Sequence, residues 1–129
     1  MLAVRKPAKA PSSKWTPTPP LPVIVGGGFP YGARRAVRYG DGWIPGAGTT
    51  RHGDIAETLP QFHRLAREAG RDPAALPVTL FRVSEDLERL HKYRDLGVAR
   101  VVISLPAANH DAILPILDRW APLMRAASA

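Results

Sequence analysis

From residue 22 onward, apolar residues come either in short unbroken runs or at every third and fourth position, and the two patterns alternate. Val23-Ile24-Val25 is β-branched throughout, the composition of a strand buried on both faces. Over 31–39 the spacing turns helical, with Ala33, Ala36 and Val37 on one side and Arg34, Arg35 and Arg38 mostly away from it. Gly42-Trp43-Ile44, stopped by Pro45, is a second short strand. Ile55, Leu59, Phe62, Leu65, Ala66 and Ala69 mark a second helix, closed by Gly70. Pro60 lacks an N–H, so the regular helix is expected to begin near 56–58, capped by Thr58 or Asp54. A strand follows at 78–83. Ser84 then caps a helix over 85–96 with Leu87, Leu90, Tyr93 and Leu96 inward and Gly97 at its end. A strand at 99–105 leads to a last helix, opened by Asn109 or Asp111, with Ile113, Leu114, Ile116, Leu117, Trp120 and Leu123 on its apolar side. Strand and helix alternate four times, which predicts an α/β fold: four parallel strands in sequential order, helices on one side.

The sharpest local feature is Gly26-Gly27-Gly28, placed directly between the first strand and the first helix. Glycine permits positive φ and close approach of a ligand to the backbone. Pro30 suits a first helical turn, and the free N–H groups of that turn favour an anion, most simply a phosphate at 26–32. A tight turn without ligand is the plainer alternative. Gly26, Gly28 and Gly32 also resemble a loose dinucleotide fingerprint, but that motif needs an acid at the end of the next strand, and Asp41 precedes its strand.

Charge sharpens the picture. The net charge is +7, and residues 1–40 hold seven basic side chains and no acid, while the remainder balances. A positive field therefore surrounds the glycine run, which suits an anionic ligand. Basic residues interleaved with aromatics are missing, so nucleic-acid binding is not expected. Residues 1–21, proline-rich with scattered lysines, are expected to form an extended lead-in before a domain spanning 22–126, with Trp15 packing on a neighbouring surface. The first residues have no apolar core of a secretory signal and no run reaches membrane-spanning length, so a cytoplasmic protein is expected. With no cysteine, disulfides, thiolate catalysis and cysteine–zinc sites are excluded.

PVIVGGGFPYGARRAVRYGDGWIP, followed by AGRDPAALPVTLF, DLGVARVVISLP and ILPILDRW, resembles the luciferase-like monooxygenase family, especially its deazaflavin-dependent members. The resemblance runs over about residues 20–124. It implies a TIM barrel, an F420- or FMN-dependent oxidoreductase performing hydride transfer or monooxygenation, and a glycine loop that contacts the cofactor phosphate. Gly26, Gly27, Gly28, Phe29, Tyr31 and Gly32 match that loop and its helix start. An eight-unit barrel takes about 250 residues; 129 residues suit a parallel (βα)4 half. A half-barrel has two open edges and an uncovered inner sheet face, so a homo-oligomer or docking with an N-terminal half is expected. The family's catalytic residues would lie on the first four strands, and no catalytic residue is assigned here. Loop residues Thr49, Thr50, Arg51 and His52 are candidate polar contacts. Arg82, near a strand end, is a candidate anion partner, with an ion pair to Asp86 as the alternative. His52, His63, His91 and His110 are scattered without metal-ligand spacing, and His63 is expected to be structural.

Overall fold

A computed structural model of the chain describes residues 20–47 and 53–129. The lead-in with Trp15, and the candidates Thr49 to His52, lie outside the described residues. Strands β1 (Ile24–Gly26), β2 (Gly42–Ile44), β3 (Thr79–Phe81) and β4 (Arg100–Val102) alternate with helices α1 (Tyr31–Tyr39), α2 (Ile55–Glu68), α3 (Leu87–Leu96) and α4 (His110–Ser128), and a short 3₁₀ turn at Pro73–Ala75 precedes β3.

All strand pairings among the described residues are parallel. Ile24 lies opposite Gly42, and Thr79 opposite Arg100. The central pair is joined by fewer bonds: the Trp43 N–H donates to the Pro77 carbonyl at 3.1 Å, the Phe81 N–H to Pro45 at 3.2 Å, and the Ala47 N–H to Phe81 at 2.8 Å. Together these give one four-stranded layer in the order β1-β2-β3-β4, as the alternating pattern predicts.

The helices pack on one face of this layer. Alternation along each strand sends Val25, Trp43, Val78 and Leu80 into the core, where they meet Ala33, Ala36 and Val37 of α1 and Leu59, Phe62 and Ala66 of α2. The Trp43 and Phe62 rings, both fully buried, lie 4.8 Å apart and tilted by 34°. The opposite face has no covering layer among the described residues. Ile24 is 40% and Val102 42% exposed. The expectation that the first strand is buried on both faces is therefore wrong: only Val25 of β1 is buried. The β-branched run reads as doubly buried because composition reports an apolar strand, not how many layers cover it.

Other boundaries move for local reasons. α2 starts at Ile55 because the Asp54 carboxylate accepts the Ala56 N–H at 2.9 Å, so Pro60 lies inside the helix. α3 starts at Leu87, capped by Asp86 through the Arg89 N–H at 3.2 Å, rather than by Ser84. Asn109 caps α4 as expected. Its outer side is not buried as expected, since Leu114 and Leu117 face outward and Trp120 is the buried anchor. Arg71, just past α2, donates from Nη1 to the carbonyls of Ala36, Val37 and Gly40 at 3.3, 2.9 and 2.8 Å, closing the free end of α1. No helix among the described residues is long and apolar enough to cross a membrane.

Candidate functional site

The carboxyl ends of β1, β2 and β3 converge on a cavity of about 220 Å³ lined by Gly27, Gly28, Phe29, Trp43, Pro45, Gly46, Gly53, Ile55, Thr58 and Phe81. Residues from four elements meet there, because in a parallel layer every strand delivers its following loop to the same rim.

The glycine loop is held by its carbonyls. The Gly26 oxygen accepts from Arg35 Nη2 at 3.2 Å, the Gly27 oxygen from the Trp43 indole Nε1–H at 2.8 Å, and the Gly28 oxygen from the Gly32 N–H at 2.8 Å. With the three acceptors turned onto protein donors, the N–H groups of Gly28, Phe29 and Tyr31 meet no acceptor among the described residues. Among the described α-helices, α1 alone lacks a side-chain cap: Pro30 stands at the N-cap position with no side-chain acceptor to offer, whereas Asp54, Asp86 and Asn109 cap the others. The first turn of α1 therefore keeps its positive end open.

Two glycines in this loop are required by geometry. Gly27 has φ +109°, and a Cβ there would meet Arg35 Nη2 at 2.8 Å. A Cβ on Gly32 would overlap the backbone of Gly27, so α1 can approach the loop only without a side chain at that position. Of the six residues that the sequence singles out, Gly27, Gly28 and Phe29 line the cavity, Gly26 and Gly32 shape the loop from behind, and Tyr31 stands largely in solvent.

Arg34, Arg35 and Arg38 are all exposed, and the Arg35 guanidinium reaches back to the Gly26 carbonyl of the glycine loop. This follows from the tilt of helical side chains toward the N-terminus. Arg82 is neither buried nor paired with Asp86. It is exposed at the end of β3, with its guanidinium carbon 5.4 Å from the Phe81 ring centre, and Asp86 pairs with Arg89 instead. Arg82 also has φ +60°, a conformation uncommon outside glycine and often found near ligand sites. His63 is half-buried beside Phe62, where loss of hydration and then the charge of Arg67 hold its pKa below the ordinary 6.5, in keeping with a structural role. Trp43 is the site residue that sequence reasoning left as a strand residue. Its signal is a lone polar N–H in an otherwise apolar strand, which must find an acceptor when buried.

Comparison with known proteins agrees with this architecture. The family model described as luciferase-like monooxygenase matches residues 5–107. A Mycobacterium tuberculosis protein named F420-dependent hydroxymycolic acid dehydrogenase is 40% identical over 116 residues, 82% of this chain and 31% of that protein. An uncharacterized Mycobacterium bovis protein is 32% identical over 98 residues, covering 72% of this chain and 32% of its own length. Among solved structures, an F420-dependent secondary alcohol dehydrogenase in complex with an F420-acetone adduct superposes with a TM-score of 0.56 at 16% identity, over 81% of this chain and 49% of that one. The chain thus spans about a third of these curated relatives and half of the solved neighbour. A family match over residues 5–107, most of the sequence, places this chain in the luciferase-like monooxygenase family.

Proposed function

We propose that the chain is the cofactor-phosphate-holding (βα)4 half of a luciferase-like, F420-dependent oxidoreductase barrel, with a folded unit over 22–126. The observation that carries this is the loop: three carbonyls tied back by Arg35, Trp43 and Gly32, and the amides of Gly28, Phe29 and Tyr31 left unmatched beside a cavity. Gly26, Gly27, Gly28, Phe29, Tyr31 and Gly32 are the residues assigned to the cofactor. Gly27 and Gly28 let the backbone approach the phosphate, and Gly32 lets α1 stand close enough to present its N–H groups. The F420-dependent relatives favour a deazaflavin over FMN.

When bound, a deazaflavin supplies hydride transfer, and the protein's part is to hold and orient it. The cavity, about 220 Å³, is smaller than the roughly 300–1,000 Å³ of ordinary ligand pockets. It suits a phosphate and its stem, while the ring system and a small organic substrate belong in the remainder of a complete barrel. The open side of the sheet then takes another chain, either an N-terminal half or a second copy. A dinucleotide module is disfavoured because the Asp41 carboxylate accepts the Val23 N–H at 2.8 Å, at the end of the sheet away from the loop.

Each charged amide–phosphate bond contributes about 1.5–3 kcal/mol. Two or three, offset by the cost of ordering, give affinity on the order of millimolar for the half site. Calorimetric titration of the chain and of Gly27→Val with inorganic phosphate, FMN and a deazaflavin tests the assignment. Valine at φ +109° is strained and its branched side chain would displace the Arg35 guanidinium from the loop, so binding should disappear with the fold intact. Equal affinity in the two proteins would remove the loop from the site.

A further inference from the structure

Large exposed apolar side chains are not spread over the surface. Leu21, Val23 and Ile24 lie in or just before β1, with Tyr31 and Tyr39 on α1; Val102 and Leu105 lie in or just after β4, with Leu114 and Leu117 on α4. Between Gly40 and Ala99, which covers β2, α2, β3 and α3, the described residues contribute none. The sheet is thus apolar at both terminal units and finished in between. Each edge strand has one side without a partner among the described residues, and the face away from the helices exposes Ile24 and Val102 while only half covering Ile44 and Phe81.

These two edges complement one another. Both are parallel, both carry exposed apolar side chains (β4 beside the exposed Arg100), and they lie at opposite ends of the same sheet, so the edge of β4 in one molecule matches the edge of β1 in another. Four strands are half of the eight at which a parallel barrel closes with its interior filled by side chains. A contact between unlike edges that closes after two copies gives a ring and not a filament. We propose that two copies of this chain close into one eight-stranded barrel, β4 of each pairing with β1 of the other about a two-fold axis along the barrel. The outer stripe of α4, Leu114 and Leu117, then packs against α1 of the second copy, and the uncovered sheet faces become a shared interior. All strand ends point to one rim, so the loop after β4 of the second copy stands beside Gly27–Phe29 and completes the wall that one chain leaves open. The inference rests on the half-barrel reading above and names the occupant of its open side.

The chain has no cysteine, so introduced thiols report the pairing cleanly. Ile24→Cys and Val102→Cys, purified separately, mixed and treated with a short bis-maleimide, should give a covalent dimer, while either variant alone should give little. Sedimentation of the native chain at tens of micromolar should show a dimer as the end state, and Leu117→Lys, at an exposed position, should shift it to monomer with an unchanged circular dichroism spectrum. A native monomer, an open-ended series of larger species, or equal cross-linking by either single variant would overturn the proposal. Phosphate titration of the same samples separates this result from the cofactor assignment. A dimer without affinity at the glycine loop keeps the barrel closure and removes the cofactor reading, and a binding monomer does the reverse.

Discussion

Trp43 serves both the core and the site. Its ring packs on Phe62, and its N–H turns the Gly27 carbonyl away from the cavity. Trp43→Phe retains an aromatic ring beside Phe62 but loses the donor, leaving a carbonyl to find water in a half-buried position. We expect a stability loss of about 1–3 kcal/mol in denaturant unfolding, with a disproportionate loss of phosphate affinity. Trp43→Ala also opens a cavity and should cost about 3–5 kcal/mol. His63 gives a pH signature. Its pKa is lowered in the fold, mainly by lost hydration, so the folded state disfavours its protonation. Its contribution is present above the unfolded value near 6.5 and is lost as pH falls through the lower folded value. The melting temperature of the native chain should therefore fall more steeply than that of His63→Gln as pH is lowered from 7 into that window. Parallel curves would show that His63 carries no such linkage.

At the scale of elements, α1 depends on Arg71, a residue 31 positions beyond the carbonyl of Gly40 that it closes. Arg71→Met should remove three charged hydrogen bonds and destabilise the chain by about 1.5–3 kcal/mol in chemical unfolding, because one guanidinium nitrogen serves all three acceptors. Fraying should appear first as faster amide exchange at the end of α1. The sequence did not disclose this link, since nothing in the local pattern around Arg71 points back to residue 40. What it did disclose depends on periodicity. Ile55, Leu59, Phe62 and Ala66 mark the buried stripe of α2 within one residue of the observed positions, and Gly97 stops α3 in the left-handed conformation that glycine permits. Strand length was overstated at 78–83 and 99–105, because apolar runs extend past the last paired residue into the rim. For the site, the glycine loop was legible because Gly27 and Gly32 are needed for sterics alone. Phe81, Ile55 and Thr58 were not, because only the parallel layer brings them to the same cavity. The ion pair expected between Arg82 and Asp86 does not form, because a charged residue at a strand end can simply turn outward.

At the scale of the whole molecule, the chain spans about a third of the length of the curated relatives it matches, and on the proposed reading it holds only one part of a pocket. Purified alone and given reduced deazaflavin or reduced flavin with general acceptors, it should show no turnover approaching the roughly 1 per second of ordinary enzymes. Such a rate would mean that these residues suffice for catalysis. The glycine loop itself is tested most directly by residue-resolved amide shifts during titration with inorganic phosphate and then with a deazaflavin. The account predicts saturating shifts at Gly27, Gly28, Phe29 and Tyr31 that vanish in Gly27→Val. Shifts gathered on α3 or α4, with none over 26–33, would contradict it.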